Sequence, residues 1–257
     1  MNRRVERIGN AVLVLGDWRE ALDAVGHADL VATDPPYGTG GWRRTETGAG
    51  SNPAAKLVRE EWDDGDLDWL AAVPPVPVLT FWPPANTGAL LAAAAASGRT
   101  KHRALYMRKL DPKPQPAGRI AWSVEPIWAL SAEGFQLYGG TDWFECSTPR
   151  LGRDTGATGH PYEKPLACLR WLLSKVPLAT TVLDPFCGSG TTGIAAVQSG
   201  RCFIGVEQDE GWFDVACRRV EAATRQADMF VSFPSSPPPD LDTAYQRSAD
   251  LFAGDVP

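Results

Sequence analysis

The stretch from Thr181 to Arg225 restricts the fold more than any other part of the chain. Thr181-Val182-Leu183-Asp184 reads as a short buried strand and Pro185-Phe186-Cys187-Gly188-Ser189-Gly190 as a glycine turn. Thr191–Ser199 then reads as a helix, Cys202–Val206 as a second strand and Glu210–Arg225 as a second helix. Strands joined through a crossover helix lie parallel, because the chain returns to the same end before it starts the next strand. The spacing therefore predicts an α/β fold with a sheet that is at least partly parallel. Gly188-x-Gly190-x-x-Gly193 follows a strand and opens a helix, the setting in which glycines let a ligand approach the backbone. Glu207, at the end of the next strand, is placed to take ribose hydroxyls. No Lys-Ser/Thr pair follows, so the turn is not a phosphate loop. A nicotinamide dinucleotide would need its pyrophosphate at the helix N-terminus. S-adenosylmethionine has no phosphate, and its charged amino-acid end welcomes an acid such as Asp184 close to the turn.

The rest of the chain supplies further strands and helices. Ala11–Leu15, Asp29–Thr33, Val76–Phe81, Ala104–Arg108 and Pro126–Ser131 read as strands. Trp18–Val25, Thr87–Ala96 and Glu163–Lys175 read as helices, with Pro165 in a first turn and a further helical turn near Asp66–Ala72. Gly38–Gly50 reads as a mobile loop and 134–160 as irregular chain. At 257 residues there is length for one sizeable core, here placed in residues 1–226, with a Pro-rich tail over 227–257. No apolar run approaches a membrane span, and the N-terminus lacks the apolar segment of a secretory signal. Five widely spaced cysteines with no CxxC pair, and three scattered histidines, suggest reduced thiols, a cytoplasmic protein and no metal site.

Asp34-Pro35-Pro36-Tyr37 follows the Asp29–Thr33 strand, at the strand end where open α/β sheets place ligands. Neither proline donates a backbone hydrogen bond. The stretch offers a carboxylate, bare carbonyls and an aromatic ring, which suits an amine that must give up both N–H bonds while its ring is stacked. An exocyclic amine on a nucleobase fits that description. A Pro-rich turn with a surface tyrosine is the plainer alternative.

Together these residues resemble the DNA amino-methyltransferases, which methylate exocyclic nitrogens of adenine or cytosine. Asp34–Tyr37 resembles the catalytic motif of that family, Asp184–Gly190 its cofactor motif, and His160-Pro161-Tyr162-Glu163-Lys164-Pro165 its His-Pro-x-x-Lys-Pro element. The catalytic motif precedes the cofactor motif by 150 residues, the order called β class. The resemblance implies a Rossmann-like methyltransferase fold with a circularly permuted motif order. Its sheet would have seven mostly parallel strands and one antiparallel member. It implies S-adenosylmethionine as cofactor, with Gly188 and Gly190 allowing close approach, and Phe186, Asp184 and Thr191 beside it. Glu207 would hold the ribose, Asp17 would lie near the adenine, and Lys164 would help place the methionine end. Asp34 and the Pro35 carbonyl would accept the two N–H bonds of the target amine. Pro36 would keep the turn donor-free, and Tyr37 would stack on the extruded base. Asp at the first motif position goes with adenine N6 more than with cytosine N4. A cytosine-N4 enzyme, a DNA-binding protein of this fold that has lost catalysis, and a nicotinamide oxidoreductase are the alternatives.

Double-stranded DNA is the implied partner of a monomer or homodimer. The net charge of −6 argues against indiscriminate nucleic-acid coating, but residues 99–119 hold seven Lys/Arg and one acid. Lys101, Arg103, Arg108 and Lys109 are expected on phosphates, which position but do not specify. Trp42, Arg43 and Arg44 follow the catalytic tetrad and are expected to close on DNA. Target recognition is expected from insertions at about 38–75 and 134–160. In Gln226-Ala227-Asp228-Met229-Phe230 the sequence resembles the peptide that docks bacterial replication proteins on the sliding clamp. Gln226 would hydrogen-bond there, and Met229 and Phe230 would fill a groove.

Overall fold

The computed structural model describes residues 4–22, 26–36, 41–44, 57–60, 66–111, 123–133, 136–147, 158, 160 and 162–227, with backbone alone at 41–44, 57–60 and 226–227. In chain order the strands are β1 (Arg4–Ile8), β2 (Ala11–Leu15), β3 (Leu30–Thr33), β4 (Gly41–Arg44), β5 (Leu57–Glu60), β6 (Val78–Phe81), β7 (Lys101–Lys109), β8 (Val124–Ser131), β9 (Trp143–Cys146), β10 (Thr181–Asp184) and β11 (Cys202–Glu207). The α-helices are α1 (Trp18–Ala21), α2 (Trp69–Ala72), α3 (Thr87–Ala96), α4 (Leu166–Ser174), α5 (Thr191–Gln198) and α6 (Glu210–Ala227).

Nine strands form one sheet in the order β1-β2-β11-β10-β3-β6-β8-β7-β9. The block β2-β11-β10-β3-β6 is parallel throughout. β8 runs against both β6 and β7, and β1 runs against β2. The expectation of seven strands with one reversed is met by the stretch from β2 to β7 and corrected at the edges. β1 adds a second reversed strand, and β9 extends the other edge in parallel with β7. Both additions are half-exposed edge strands, without the apolar run that marks a central one.

The central strands bury both faces, so their side chains alternate between two cores. Val182, Leu30, Ala32 and Leu79 face α4, α5 and α6, with Leu169, Leu172, Phe213 and Val220. Leu183, Val31, Val78 and Ile204 face α2 and α3, with Trp69, Leu70 and Leu90. Among the described residues no helix is long and apolar enough to cross a membrane.

Several local expectations need correction. Pro165 is the N-cap of α4 at φ −62°, ψ 126°, not a first-turn residue, since a residue preceding the helix needs no N–H for its ladder. Part of the expected loop 38–50 is strand, because Gly41–Arg44 pairs antiparallel with Leu57–Glu60 from 13 or more residues away. Arg99, counted with the basic segment, is 4% exposed. Its guanidinium donates to the carbonyls of Leu70, Val76 and Pro74 and so ties α2 to the end of α3.

Candidate functional site

The site lies along the C-terminal ends of the parallel strands. β3 and β10 are adjacent, with Val182 opposite Leu30 and Leu183 opposite Val31. Asp34 and Asp184, 150 residues apart in sequence, therefore follow neighbouring strands. A hydrogen bond joins the two ends: the Thr33 hydroxyl donates to Asp184 Oδ1 at 2.7 Å. The same oxygen accepts from the Phe186 backbone N–H at 3.1 Å, and the Thr192 side chain also bonds this carboxylate. Burial pushes the Asp184 carboxyl up to about 6 against these stabilising bonds. Asp184 thus fixes the glycine turn to β3.

In that turn Gly188 and Gly190 hold left-handed conformations, φ +51° and +81°. Gly190 N–H donates to the Cys187 carbonyl at 2.8 Å, and Gly188 N–H donates to Glu207 Oε2 at 2.8 Å. Glu207 Oε1 accepts from the Asp209 N–H at 2.9 Å. Burial raises the Glu207 carboxyl, and the N–H bonds from Asp209 and Gly188 work against that rise. Glu207 lies opposite Leu15 of β2, and its carbonyl accepts from Gly16 N–H at 2.9 Å. Asp17 is therefore next to it, capping α1 through the Arg19 N–H at 2.8 Å. Phe186 packs edge-on against Trp18 and Trp69, with ring centroids 6.1 and 6.0 Å away. Cys187 is a buried core residue, and burial pushes its thiol well up, which suits packing and not nucleophilic attack.

Asp34, Pro35 and Pro36 follow β3 directly. Tyr37 lies outside the described residues, as do Met229 and Phe230. The structure puts the Lys164 ammonium against Asp34: Nζ is 2.9 Å from Asp34 Oδ2 and 3.3 Å from Glu125 Oε2. It also stands over the Phe81 ring at 4.7 Å. Glu125 in turn pairs with Lys109. Burial pushes the Asp34 carboxyl up to about 6; Lys164 opposes the rise, while Glu125 and Asp184 add to it. Burial works against the charge on Lys164, but Asp34 and Glu125 carry its pKa well above the usual lysine range.

The sequence-derived DNA contacts divide in two. Arg108 and Lys109 end β7 on the Asp34 side of the sheet, where they pair with Glu145 and Glu125. Lys101 and Arg103 lie opposite Ser131 and Ala129, at the other end of the same strand. Six residues of strand separate Arg103 from Lys109, about 20 Å. The structure does not bring Lys101 and Arg103 to the site. Trp42, Arg43 and Arg44 lie on β4, paired with β5. Gln226 lies in the last turn of α6, not in an extended peptide beyond it, because the helix runs two residues further than its apolar pattern predicts.

Three contributors have no role in the sequence reading. Glu125 is one. His160 lies over Gly188, where an added Cβ would meet its Nε2 at 3.3 Å, and it packs edge-on against Trp212 at 4.5 Å. Arg219 donates to Glu163 at 2.6 Å and to the Ser189 carbonyl at 2.7 Å, pinning α6 to the turn. The only sequence signal for Glu125 is an acid standing alone at the mouth of an apolar strand. Among the described residues no group of three or more His, Cys, Asp or Glu is placed to hold a metal ion.

The chain is similar to known DNA methyltransferases. Residues 100–218 match the DNA methylase family model designated N6_N4_Mtase. The type II methyltransferase M2.DpnII of Streptococcus pneumoniae is 43% identical over 68 residues, which span 24% of this chain and 24% of that protein. The solved M1.HpyAVI–SAM complex superimposes with a TM-score of 0.61 at 23% identity, over 81% of this chain and 98% of that one. PvuII DNA methyltransferase, described as cytosine-N4-specific, superimposes with a TM-score of 0.60 at 14% identity, over 96% of this chain and 94% of that one. At these identities the solved structures establish a shared fold.

Proposed function

We propose that the chain, whose residues 100–218 match the N6/N4 DNA methylase family model, transfers a methyl group from S-adenosylmethionine to the N6 amine of an adenine extruded from double-stranded DNA. The observation that carries this reading is Asp34. Its carboxylate is partly buried against the Lys164 ammonium, Pro35 follows it in the chain, and the preceding Thr33 bonds Asp184 at the glycine turn.

The residues present fit that cofactor. Glu207 and Asp17 stand at neighbouring strand ends, within reach of a nucleoside. The left-handed glycines keep Cβ atoms out of the turn. An acid-rich rim suits a cationic ligand better than a pyrophosphate. When bound, S-adenosylmethionine supplies an electrophilic methyl group on a positively charged sulfur.

The chain's own residues prepare the amine. Its lone pair is delocalised into the base, so it is a poor nucleophile. Asp34 and the Pro35 carbonyl would each accept one N–H, drawing the nitrogen toward tetrahedral geometry and stabilising the positive charge that develops on it. Each such contact is worth ~3 kcal/mol in the transition state. Extrusion costs a few kcal/mol, and stacking on Tyr37 would recover ~1–3 kcal/mol. The aspartate at the first motif position favours adenine N6 over cytosine N4. Arg108 and Lys109 would meet DNA on the same side of the sheet as Asp34, and Trp42, Arg43 and Arg44 would close on it.

Two outcomes follow from this arrangement. Asp34 must be an anion to accept, and its carboxyl lies at about 6. The rate constant kcat/KM should hold above that pH and fall about tenfold per unit below it; a profile from acid to mildly alkaline pH checks this. Arg103→Ala should leave DNA affinity within about twofold, while Arg108→Ala should weaken it across sequences and lower the salt slope by about one. Fluorescence anisotropy over a salt series separates the two variants.

Mass spectrometry of nucleosides, from duplex DNA incubated with the protein and S-adenosylmethionine, tests the whole reading. N6-methyladenine is the expected product. N4-methylcytosine would move the assignment to the other base, and unmodified DNA would remove it.

A further inference from the structure

The resemblance implies that Lys164 places the methionine end of the cofactor, yet its ammonium is seated against the acceptor carboxylate. Asp34, Lys164, Glu125 and Lys109 form a chain of alternating charge, with contacts of 2.9 Å and 3.3 Å at Lys164 and a further ion pair between Glu125 and Lys109. Each member comes from a different element: the end of β3, the residue before the N-cap of α4, the start of β8 and the end of β7. We propose that Lys164 is a positioning residue that holds the Asp34 side chain as an anion in one orientation, and that Glu125 holds Lys164 in turn. This rests on the reading of Asp34 as the acceptor of the target amine.

The geometry calls for such a group. The Asp34 side chain is 21% exposed, and a carboxylate so far removed from water is costly unless a cation faces it. Its acidic neighbours make the demand greater: Glu125 on β8 and Asp184 on β10 both disfavour its charge, and Lys164 opposes them. Lys109 on β7 balances Glu125. Behind Lys164 lie His160, whose pKa burial lowers, and Cys168 of α4, whose thiol Cys146 of β9 and burial both push up. Neither is placed to take the ammonium's part at neutral pH, because His160 is then uncharged and the Cys168 thiol keeps its proton.

The Lys164 head is fixed on several sides. It contacts Oδ2 of Asp34, Oε2 of Glu125 and the face of Phe81. Lys164 also precedes Pro165, which restricts its own backbone to extended conformations. A carboxylate tethered at Oδ2 cannot rotate without breaking that contact. An acceptor held in advance costs no reorganisation when charge develops on the amine.

The test reads Asp34 directly. The full-length protein, labelled with 13C at aspartate carboxyl groups, is titrated by NMR without DNA or cofactor, and the Asp34 signal is assigned by its loss in Asp34→Asn. In Lys164→Met the Asp34 midpoint should rise by more than about one pH unit, the size expected for removal of an opposite charge in contact. Lys164→Arg should return it most of the way. Glu125→Gln, whose amide oxygen still accepts from the Lys164 ammonium while a neighbouring anion is removed, should move the midpoint down.

In methylation assays the acid limb of kcat/KM in Lys164→Met should move with the NMR midpoint, while KM for S-adenosylmethionine stays within about threefold. An unmoved Asp34 midpoint in folded Lys164→Met overturns the proposal, as does an upward shift in Glu125→Gln. So does a large rise in KM with an unmoved acid limb, which would return Lys164 to the cofactor. If the parent protein methylates no base, the proposed function fails, but the titrations still decide whether Lys164 controls Asp34.

Discussion

Asp34→Ala is expected to lower kcat for methyl transfer by at least about a thousandfold while the cofactor Kd stays within about threefold of the parent. Losing one preorganised transition-state contact costs about 100- to 1000-fold, and here the loss also leaves the Pro35 carbonyl to hold the amine alone. Cofactor binding should survive because Thr33 and Asp184, not Asp34, tie β3 to the glycine turn. Single-turnover transfer of labelled methyl gives the first quantity and calorimetry the second. A variant that methylates at the parent rate would remove Asp34 from the chemistry.

The same residue gives a stability test with a defined sign. The Asp34 carboxyl rises from an ordinary 3.8 to about 6 on folding, chiefly through burial. The folded state therefore holds this proton more tightly than the unfolded chain does. The stabilisation is complete below about 4 and is lost as pH rises through about 6. Asp34→Asn mimics the protonated form, so its thermal stability relative to the parent should improve across that window and then level off. Scanning calorimetry at pH 4, 6 and 8 reads the change. Conversion to a neutral side chain would then raise stability where it removes activity, as expected when a site holds a charge for chemistry and not for folding.

The second large effect is expected at Gly190. Gly190→Ala should lower stability by about 2–5 kcal/mol and cofactor affinity by at least tenfold. The position has φ +81°, and an added Cβ would meet Ala216 Cα and Cβ of α6, both at 3.0 Å. The left-handed conformation alone costs about 1–2 kcal/mol for a residue with a side chain, and overpacking adds ~1–3 kcal/mol. Ala216 is core backbone at 0% exposure and cannot swing aside, so α6 must shift from the turn that Arg219 pins to it. Gly200→Ala is the control. It shares a positive φ of +76°, but an added Cβ there meets nothing within 4 Å, so it should cost only the conformational part. Denaturant melts of the two variants isolate the packing contribution.

The parallel core was legible because its strands are buried on both faces. Thr181–Asp184, Leu30–Thr33 and Val78–Phe81 are apolar or β-branched at nearly every position, which fits covered strands and little else. The glycine turn was legible because a tight strand-to-helix connection with left-handed residues leaves glycine as the low-cost choice. β1 and β9 were missed because edge strands carry charges and exposed aromatics, so Arg4-Val5-Glu6-Arg7-Ile8 reads like ordinary surface. Lys101 and Arg103 were grouped with Arg108 and Lys109 because proximity in sequence hides the length of an extended strand.

The sequence by itself determined the type of sheet, the glycine turn and the place of Asp34 at a strand end. Those rest on local pattern: apolar runs, required backbone angles and a donor-poor tetrad. Only the tertiary structure decided what surrounds Asp34. Glu125 is 91 residues away and Lys164 is 130 residues away, and they reach Asp34 because β8 lies beside β6 and α4 begins over the ends of the strands. An ion pair acts over a few ångströms of space whatever the distance along the chain, so its members leave no local mark in the sequence.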